Sequence, residues 1–325
     1  MESTVATVKN SLLALPPGLH RRRFAARGVG FDAWIWRGGD GPVLLVNGAT
    51  HGDEYEGPTL LRAWAETWRP KNLRGTVVAV PVLNEAAFFA GQRCHPADGG
   101  NLARAFPGSA RGGVTARLAH LFDTHLLAQA THYVDLHSAG AAYELLPWTG
   151  YITHPAPATD RTQRAMAASF AEFWCWAGPF LPGRTLSAAH ARGIPAIYVE
   201  CRGAGGVAPA DLENLDLGLR RVLHRLGLLA GTGPRAPRGK QHFRLTRDAD
   251  EAHLQIHHPA PADGLFTPTV EVGDRIRRGQ AVGQVAELGS AAVHRVGAER
   301  GGRVVMLRRQ RSVRRGDALC TLAPV

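Results

Sequence analysis

Lysine is nearly missing from this sequence. Lys9, Lys71 and Lys240 are the only three in 325 residues, so the formal net charge of +11 is carried by arginine. Arginine is the side chain suited to gripping a carboxylate through two parallel bonds; the excess points to an anionic substrate, although a biased genome composition would produce it too. Cysteine is sparse as well. Cys94, Cys175, Cys201 and Cys320 include no C-x-x-C pair, so neither a disulfide framework nor a thiolate zinc site is signalled, and the thiols are read as reduced and mostly buried. No apolar run approaches the roughly 20 residues that a spanning helix needs. The opening MESTVATVKNSLLALPPGLH has no basic n-region and no cleavage-like site. The chain is therefore read as soluble and cytoplasmic, with no membrane partner. What remains is ordinary for a globular protein, 45% hydrophobic and 20% charged, in a length that admits two domains.

The most informative stretch is VLLVNGATHGDEYEGPTLLRAWAET, residues 43 to 67. An apolar β-type run is followed by a polar, Gly-flanked turn from Asn47 to Gly57 and then by a helix. Strand, polar turn and helix in that order is how open α/β sheets present ligand sites at the carboxyl ends of their strands. His51 and Glu54 stand three apart in the turn. An imidazole and a carboxylate at that separation can converge on one cation, and two nitrogen ligands, one carboxylate and an open position make a catalytic zinc set. The same residues also suit a solvated helix start, with Asp53, Glu54 and Glu56 complementing the helix dipole.

A second strand at 76 to 83 completes a βαβ unit, so a parallel sheet is the expected core. The loop from Cys94 to Gly113, with DGGNLARAFPG inside it, is long and aperiodic, which in a compact domain usually marks a site. A helix over 115 to 129 leads to the strand HYVDLH, where His137 sits at a strand end as His51 does. Residues 141 to 185 read as a Pro-rich loop with a helix from about Arg161 to Trp176. The strand IPAIYVE ends in Glu200, a helix follows over 209 to 228, and 231 to 239 is linker-like. From Phe243 short β-type segments are separated by Gly. This tail looks like a lipoyl or biotinyl carrier module, but 242 to 325 hold no lysine to carry a cofactor, which removes that reading.

Taken together, GATHGDEYEG (48 to 57), NLARAFPG (101 to 108), VDLHS (134 to 138) and PAIYVECRGAGG (195 to 206) resemble the succinylglutamate desuccinylase and aspartoacylase family, a branch of the zinc carboxypeptidase superfamily. The resemblance spans the whole chain. It implies an α/β fold: a zinc carboxypeptidase-like central sheet, mixed but largely parallel and flanked by helices, with a smaller all-β C-terminal domain. The expected division is a catalytic domain over 1–232, a linker over 233–241 and a β-rich domain over 242–325. It implies one zinc per chain, held by His51, Glu54 and His137, which would lower the pKa of a bound water from about 15.7 to roughly 7. Glu200 is then the general base, Arg93 polarises the scissile carbonyl, Arg104 and Asn101 bind the substrate's carboxylate, and Asp135 accepts a bond from a ligand imidazole. The chain departs from the family at two places. Ala103 stands where Asn usually precedes the Arg of NLARAFPG, so Asn101 would have to act from two residues earlier. Glu85 follows Asn84 where Pro is common, which would loosen the turn that aims Arg93.

The implied activity is hydrolysis of the amide of an N-acylated amino acid, a small-molecule substrate, with acetyl-diaminobutyrate-type deacetylation favoured over desuccinylation. A zinc carboxypeptidase acting on short peptides shares the same metal site. A non-enzymatic alternative rests on the eleven arginines between Arg275 and Arg315, opposed only by Glu287 and Glu299, which could bind polyanions. Nucleic acid is disfavoured because no aromatic platform or reading element accompanies them. The charge is read instead as steering an acidic substrate or as a subunit contact in a homo-oligomer. His253, His257 and His258 are read as solvated or interface imidazoles rather than a second metal site.

Overall fold

The computed structural model describes residues 12–237, 243–245 and 256–324. The chain opens with a hairpin of β1 (Gly18–Ala26) and β2 (Val29–Arg37). Basic residues fill β1, yet Arg21 and Arg23 both reach Asp32 across the hairpin, so the cluster is held rather than free. Then come β3 (Val43–Asn47), α1 (Glu56–Thr67), β4 (Thr76–Val80), the short α2 (Glu85–Phe89), α3 (Val114–His125) and β5 (His132–Ser138). The expected helix over 115 to 129 is α3 followed by a separate turn of 3-10 helix at Leu127–Gln129.

Residues 141 to 185 correct the sequence reading most. In place of one long helix from Arg161 to Trp176 the structure has β6 (Tyr143–Leu145), β7 (Trp148–Ile152), α4 (Pro157–Ala167) and β8 (Trp174–Gly178). Pro157 at the first helical position starts α4 early, as its fixed φ favours. The aromatic-rich Trp174-Cys175-Trp176 then prefers a pleated, half-buried surface and pairs in parallel with β7. The α/β half closes with α5 (Thr185–Ala191), β9 (Ala196–Cys201) and α6 (Pro209–Arg225), after which β10 (Phe243–Leu245) adds a parallel strand beside β8.

These strands form one nine-stranded sheet in the order β1-β2-β4-β3-β5-β9-β7-β8-β10. It is mixed but largely parallel, with β7 running antiparallel to β9. Successive residues in β3 face opposite sides: Leu44 and Val46 join a core with α1, α4 and α6, while Val43 and Leu45 join another with α3 and α5. From β3 the chain steps to one side to form β4 and then to the other side to form β5. Strand order reverses there, and the crevice at the carboxyl ends of β3 and β5 is where an open α/β sheet takes a ligand.

The remaining strands are β11 (Gly264–Pro268), β12 (Arg275–Ile276), β13 (Ala281–Ala286), β14 (Val293–Gly297), β15 (Gly302–Arg308), β16 (Ser312–Val313) and β17 (Cys320–Ala323). They make two small antiparallel sheets around Phe266, Val282, Val285, Val304 and Leu319. This all-β part is sewn to the rest: β6 pairs with β15, so a strand from the α/β half extends a C-terminal sheet. His258 is buried here, with its Nδ1 2.8 Å from the Cys320 carbonyl and its Nε2 accepting from the Glu299 N–H; His253 lies outside the described residues. No described helix is long and apolar enough to cross a membrane.

Gly150 in β7 shows how tightly the inserted strand is fitted. A Cβ there would stand 2.2 Å from Tyr198 Cζ on the neighbouring β9. Gly150→Ala is therefore expected to cost about 1–3 kcal/mol of overpacking, read from denaturant midpoints. In a Tyr198→Val background the same change should cost little; an equal loss in both backgrounds would contradict the fit described.

Candidate metal centre and active site

The turn after β3 and the end of β5 bring together the one group among the described residues that could hold a metal ion: His51, Glu54 and His137, all buried, with ligand atoms within 4.8 Å of one another. Glu54 lies between the two rings. Its Oε1 is 2.7 Å from His51 Nδ1 and its Oε2 is 2.9 Å from His137 Nδ1. Both imidazoles thus turn the same nitrogen inward. The outward nitrogens are backed by acceptors: His137 Nε2 is 2.9 Å from Asp135 Oδ2, and His51 Nε2 is 3.1 Å from Asn101 Oδ1. A ring that donates one N–H to an acceptor keeps its other nitrogen unprotonated for a metal, in a fixed orientation. Two imidazoles and a carboxylate at hydrogen-bond distance from one another, each ring backed in this way, fit a divalent zinc-type ion.

Asp135 is itself well supplied. Its Oδ1 accepts from Asn47 Nδ2 at 2.9 Å and Thr50 Oγ1 at 3.1 Å, and Oδ2 accepts from Thr185 as well as facing His137. Burial would raise its pKa, but the His137 ring and the Thr185 and Asn47 donors hold it below the ordinary carboxylate range. The same competition acts on Glu54, where the two imidazoles outweigh burial and keep the carboxyl well below its usual value. Burial lowers His51, whereas His137, flanked by both Asp135 and Glu54, is driven up against its burial.

Glu200, in β9, is the register partner of His137 in β5. Burial pushes its carboxyl up to about 8, with Glu54 adding to the rise and His137 and Arg93 opposing it. Arg202, the neighbour with which it could have paired, goes to Glu144 at 2.8 Å and Asp211 at 3.5 Å instead. Glu200 and His137 line one cavity of about 310 Å³ together with His51, Asp135, Arg93 and Arg104. Glu54 and Asn101, the other residues expected at the site, are not among its lining residues and reach it through His51.

Details differ from the expectation at two points. Asn101 presents its amide oxygen to His51 at 3.1 Å and to the Ala103 N–H at 2.9 Å, so that oxygen braces the His51 imidazole. Glu85 does not loosen the turn before Arg93. It opens α2, which Asn84 caps from its side chain, and its carboxylate takes the fork of Arg23. The backbone of Gly52 shows how closely this region is packed: a Cβ there would stand 2.0 Å from the Ala87 carbonyl carbon, so the turn after β3 and α2 lie directly against each other. Arg93, on the segment after α2, brings one guanidinium nitrogen to 3.3 Å from Glu54.

The sequence reading missed Arg184, which lines the same cavity. Gly183, at φ +83°, lets that loop touch the Arg104 backbone, and its carbonyl accepts from the Phe106 N–H at 2.9 Å. Two guanidiniums are thereby held side by side. Burial lowers Arg104 to about 10, with Arg184 and Arg93 adding to the fall, and burial also lowers Arg184. The Arg184 Nε is buried without a hydrogen-bond partner among the described residues. Glu54 and Asp135 are taken up by the histidines, so the cavity keeps a surplus of positive charge that an anion would neutralise. Nothing in the sequence separates Arg184 from the many other arginines; only the contact made by Gly183 does. Tyr143, Trp148 and Tyr198 also line the cavity, which gives it an aromatic part beside the polar one.

A model of the succinylglutamate desuccinylase/aspartoacylase catalytic domain matches residues 40–226. The N-alpha-acetyl-L-2,4-diaminobutyric acid deacetylase of Halomonas elongata is 30% identical over 328 residues, covering 98% of this chain and 92% of that protein. Among solved structures, a succinylglutamate desuccinylase/aspartoacylase from Rhodobacter sphaeroides superposes with a TM-score of 0.82 at 29% identity, covering 94% of this chain and 95% of the other. The product-bound ectoine utilization protein EutE (DoeB) from Ruegeria pomeroyi gives 0.84 at 27% identity, covering 96% and 98%. With a family model spanning more than half of its length and a relative of that identity across nearly all of it, the chain belongs to the succinylglutamate desuccinylase/aspartoacylase family.

Proposed function

We propose that this protein is a zinc-dependent deacylase that hydrolyses the amide of a small N-acylated amino acid, with an N-acetylated diamino acid the favoured substrate. The observation that carries the reading is the convergence of His51, Glu54 and His137 beside Glu200 in a cavity with excess guanidinium charge. Support for the acetyl group and the diamino acid comes from the activity named for the Halomonas elongata relative. Cytoplasmic location is proposed with it.

His51, Glu54 and His137 would hold zinc, which when bound supplies a Lewis acid and a water that ionises near neutral pH. Glu200 accepts the proton from the attacking water on one carboxylate oxygen and returns it to the leaving amine, a role suited to a carboxyl whose pKa is raised toward the working pH. Arg93 donates to the scissile carbonyl oxygen as negative charge develops on it. Arg104 and Arg184 hold the substrate's own carboxylate, and the pair lets Arg184 take the part of the Asn that Ala103 replaces. Asn101 and Asp135 keep the two ligand rings in their orientation.

Three outcomes are expected. Purified protein should carry about one zinc per chain, and Glu200→Gln should keep the metal while kcat falls by 10²- to 10⁴-fold, roughly the usual weight of a general base; metal loss, or a kcat indifferent to the change, would end the mechanism. Arg184→Ala should raise KM for N-acetyl-2,4-diaminobutyrate on the order of 10- to 100-fold, as for a lost bond to a charged group, with a smaller effect on kcat. An unchanged KM would remove Arg184 from the substrate site. The third outcome concerns stability. Because folding raises the Glu200 carboxyl from its ordinary range to about 8, its favourable share is present at low pH and is lost as pH climbs through that value. Metal-free Glu200→Gln should accordingly melt close to the parent at pH 5 and above it at pH 8, by about 2–4 °C for each kcal/mol. A gap that is absent at both pH values would mean the carboxylate is not desolvated.

A further inference from the structure

Tyr143, which lines the cavity, lies in the three-residue strand β6, and this strand is bound to the C-terminal domain. Arg308 of β15 is the register partner of Tyr143. Its guanidinium is buried and fully engaged: Nε donates to the Gln310 carbonyl at 3.2 Å, one terminal nitrogen reaches the Ser312 carbonyl at 3.2 Å and Asp317 at 3.0 Å, and the other donates to the Tyr143 hydroxyl at 3.0 Å. The same guanidinium also lies 5.4 Å from the centre of the phenol ring.

That arrangement fixes which way the phenol works. Arginine has donors only, so the Tyr143 oxygen must accept from Arg308, and its own proton is left to donate elsewhere. The residue lines the active cavity. It is also close enough to Arg93 for that guanidinium to pull its pKa down, as Arg308 does, against the rise that burial causes. The backbone leaves the segment little room to drift: the Ala204 N–H donates to the Tyr143 carbonyl at 2.8 Å, the Leu145 N–H to the Arg202 carbonyl at 2.9 Å, and the Arg309 N–H to the Ala142 carbonyl at 2.8 Å. Glu144 is gripped from both sides, by Arg202 and by Arg309.

We infer that Tyr143 is a catalytic residue that donates its phenolic hydrogen, alongside Arg93, to the carbonyl oxygen of the substrate as it becomes an oxyanion, and that Arg308 is the positioning residue that aims it. The inference rests on the deacylase reading and adds a group that no sequence motif marked. It gives the C-terminal domain a task in the reaction, that of holding an oxyanion donor in place. A donor to a developing charge acts on the transition state, so its removal should appear in kcat rather than in KM.

The test compares four zinc-loaded proteins, the parent, Tyr143→Phe, Arg308→Ala and the double variant, by zinc content, melting temperature and kinetics with N-acetyl-2,4-diaminobutyrate. Tyr143→Phe keeps the ring packed and should lower kcat on the order of 10- to 100-fold with KM, zinc content and melting temperature close to the parent's. Arg308→Ala should lower kcat less, and the double variant should be no slower than Tyr143→Phe, because the two act through one bond. A parent-like kcat in Tyr143→Phe, or losses that multiply in the double variant, would overturn the proposal. Should Arg308→Ala not fold, Tyr143→Phe alone decides. Calorimetric binding of a methylphosphonamidate of 2,4-diaminobutyrate, whose tetrahedral phosphorus stands for the oxyanion, separates this idea from the choice of substrate. If no acyl amino acid is turned over but the analogue binds the parent 10- to 100-fold more tightly than it binds Tyr143→Phe, the substrate assignment fails and the donor stands. Equal binding, or none to the parent, would overturn the donor.

Discussion

A buried carboxylate held between two buried imidazoles is the constraint on which the rest of this structure depends. Glu54 is almost wholly withdrawn from water, and a charge in that position is costly unless it is matched at close range. His51 and His137 match it, Asp135 and Asn101 brace the rings from behind, and Asn47, Thr50 and Thr185 brace Asp135 in turn. The network links the ends of β3 and β5, the loop before α3 and the start of α5. Each of those segments therefore has its place set by a polar contact at the site as well as by the apolar cores on either face of the sheet.

Much of this was legible in the sequence, for a physical reason. β3 runs apolar up to Asn47 and β9 from Ala196 to Val199, as strands buried on both faces do, whereas β5 carries Asp135 between Val134 and Leu136; all three end at Gly-containing turns that mark their ends. His51, Glu54, His137 and Glu200 lie at or just beyond those ends, and neighbouring parallel strands bring such positions to one edge. Where strands are short or inserted, the signal fades. Three residues of β6 have no measurable periodicity, and β7 follows Pro147 and holds Gly150 in its middle, residues that suit a loop as readily as a strand. Tyr143 is carried by β6 and Arg184 by the loop that leads into α5, so these two cavity-lining residues were the ones the sequence concealed.

The C-terminal domain shows how composition can mislead. Its arginines suggest a polyanion-binding face, yet several are taken up by the fold: Arg309 bridges Glu144 and Glu271, Arg314 meets Asp263, Arg303 donates to the Gly273 carbonyl and lies over Trp174, and Arg308 sits buried against Tyr143. The module that resembles a cofactor carrier without its lysine is bonded to the α/β half by strand pairing and by a shared apolar cluster that includes Leu145, Trp148, Val305 and Met306. Met306 reaches the cavity wall itself. The domain is thus part of the site's enclosure, and the arginines spent on the seam are not free to meet a polyanion.

The claim on which everything else turns is that His51, Glu54 and His137 hold a zinc ion through two imidazole nitrogens and a carboxylate. X-ray absorption at the zinc edge, on zinc-reconstituted protein and on His137→Ala, tests it most directly. The account predicts a first shell of nitrogen and oxygen at about 2.0–2.2 Å, with the outer-shell scattering of two imidazoles in the parent and of one in the variant. A sulfur shell near 2.3 Å, or imidazole scattering unchanged by His137→Ala, would contradict it.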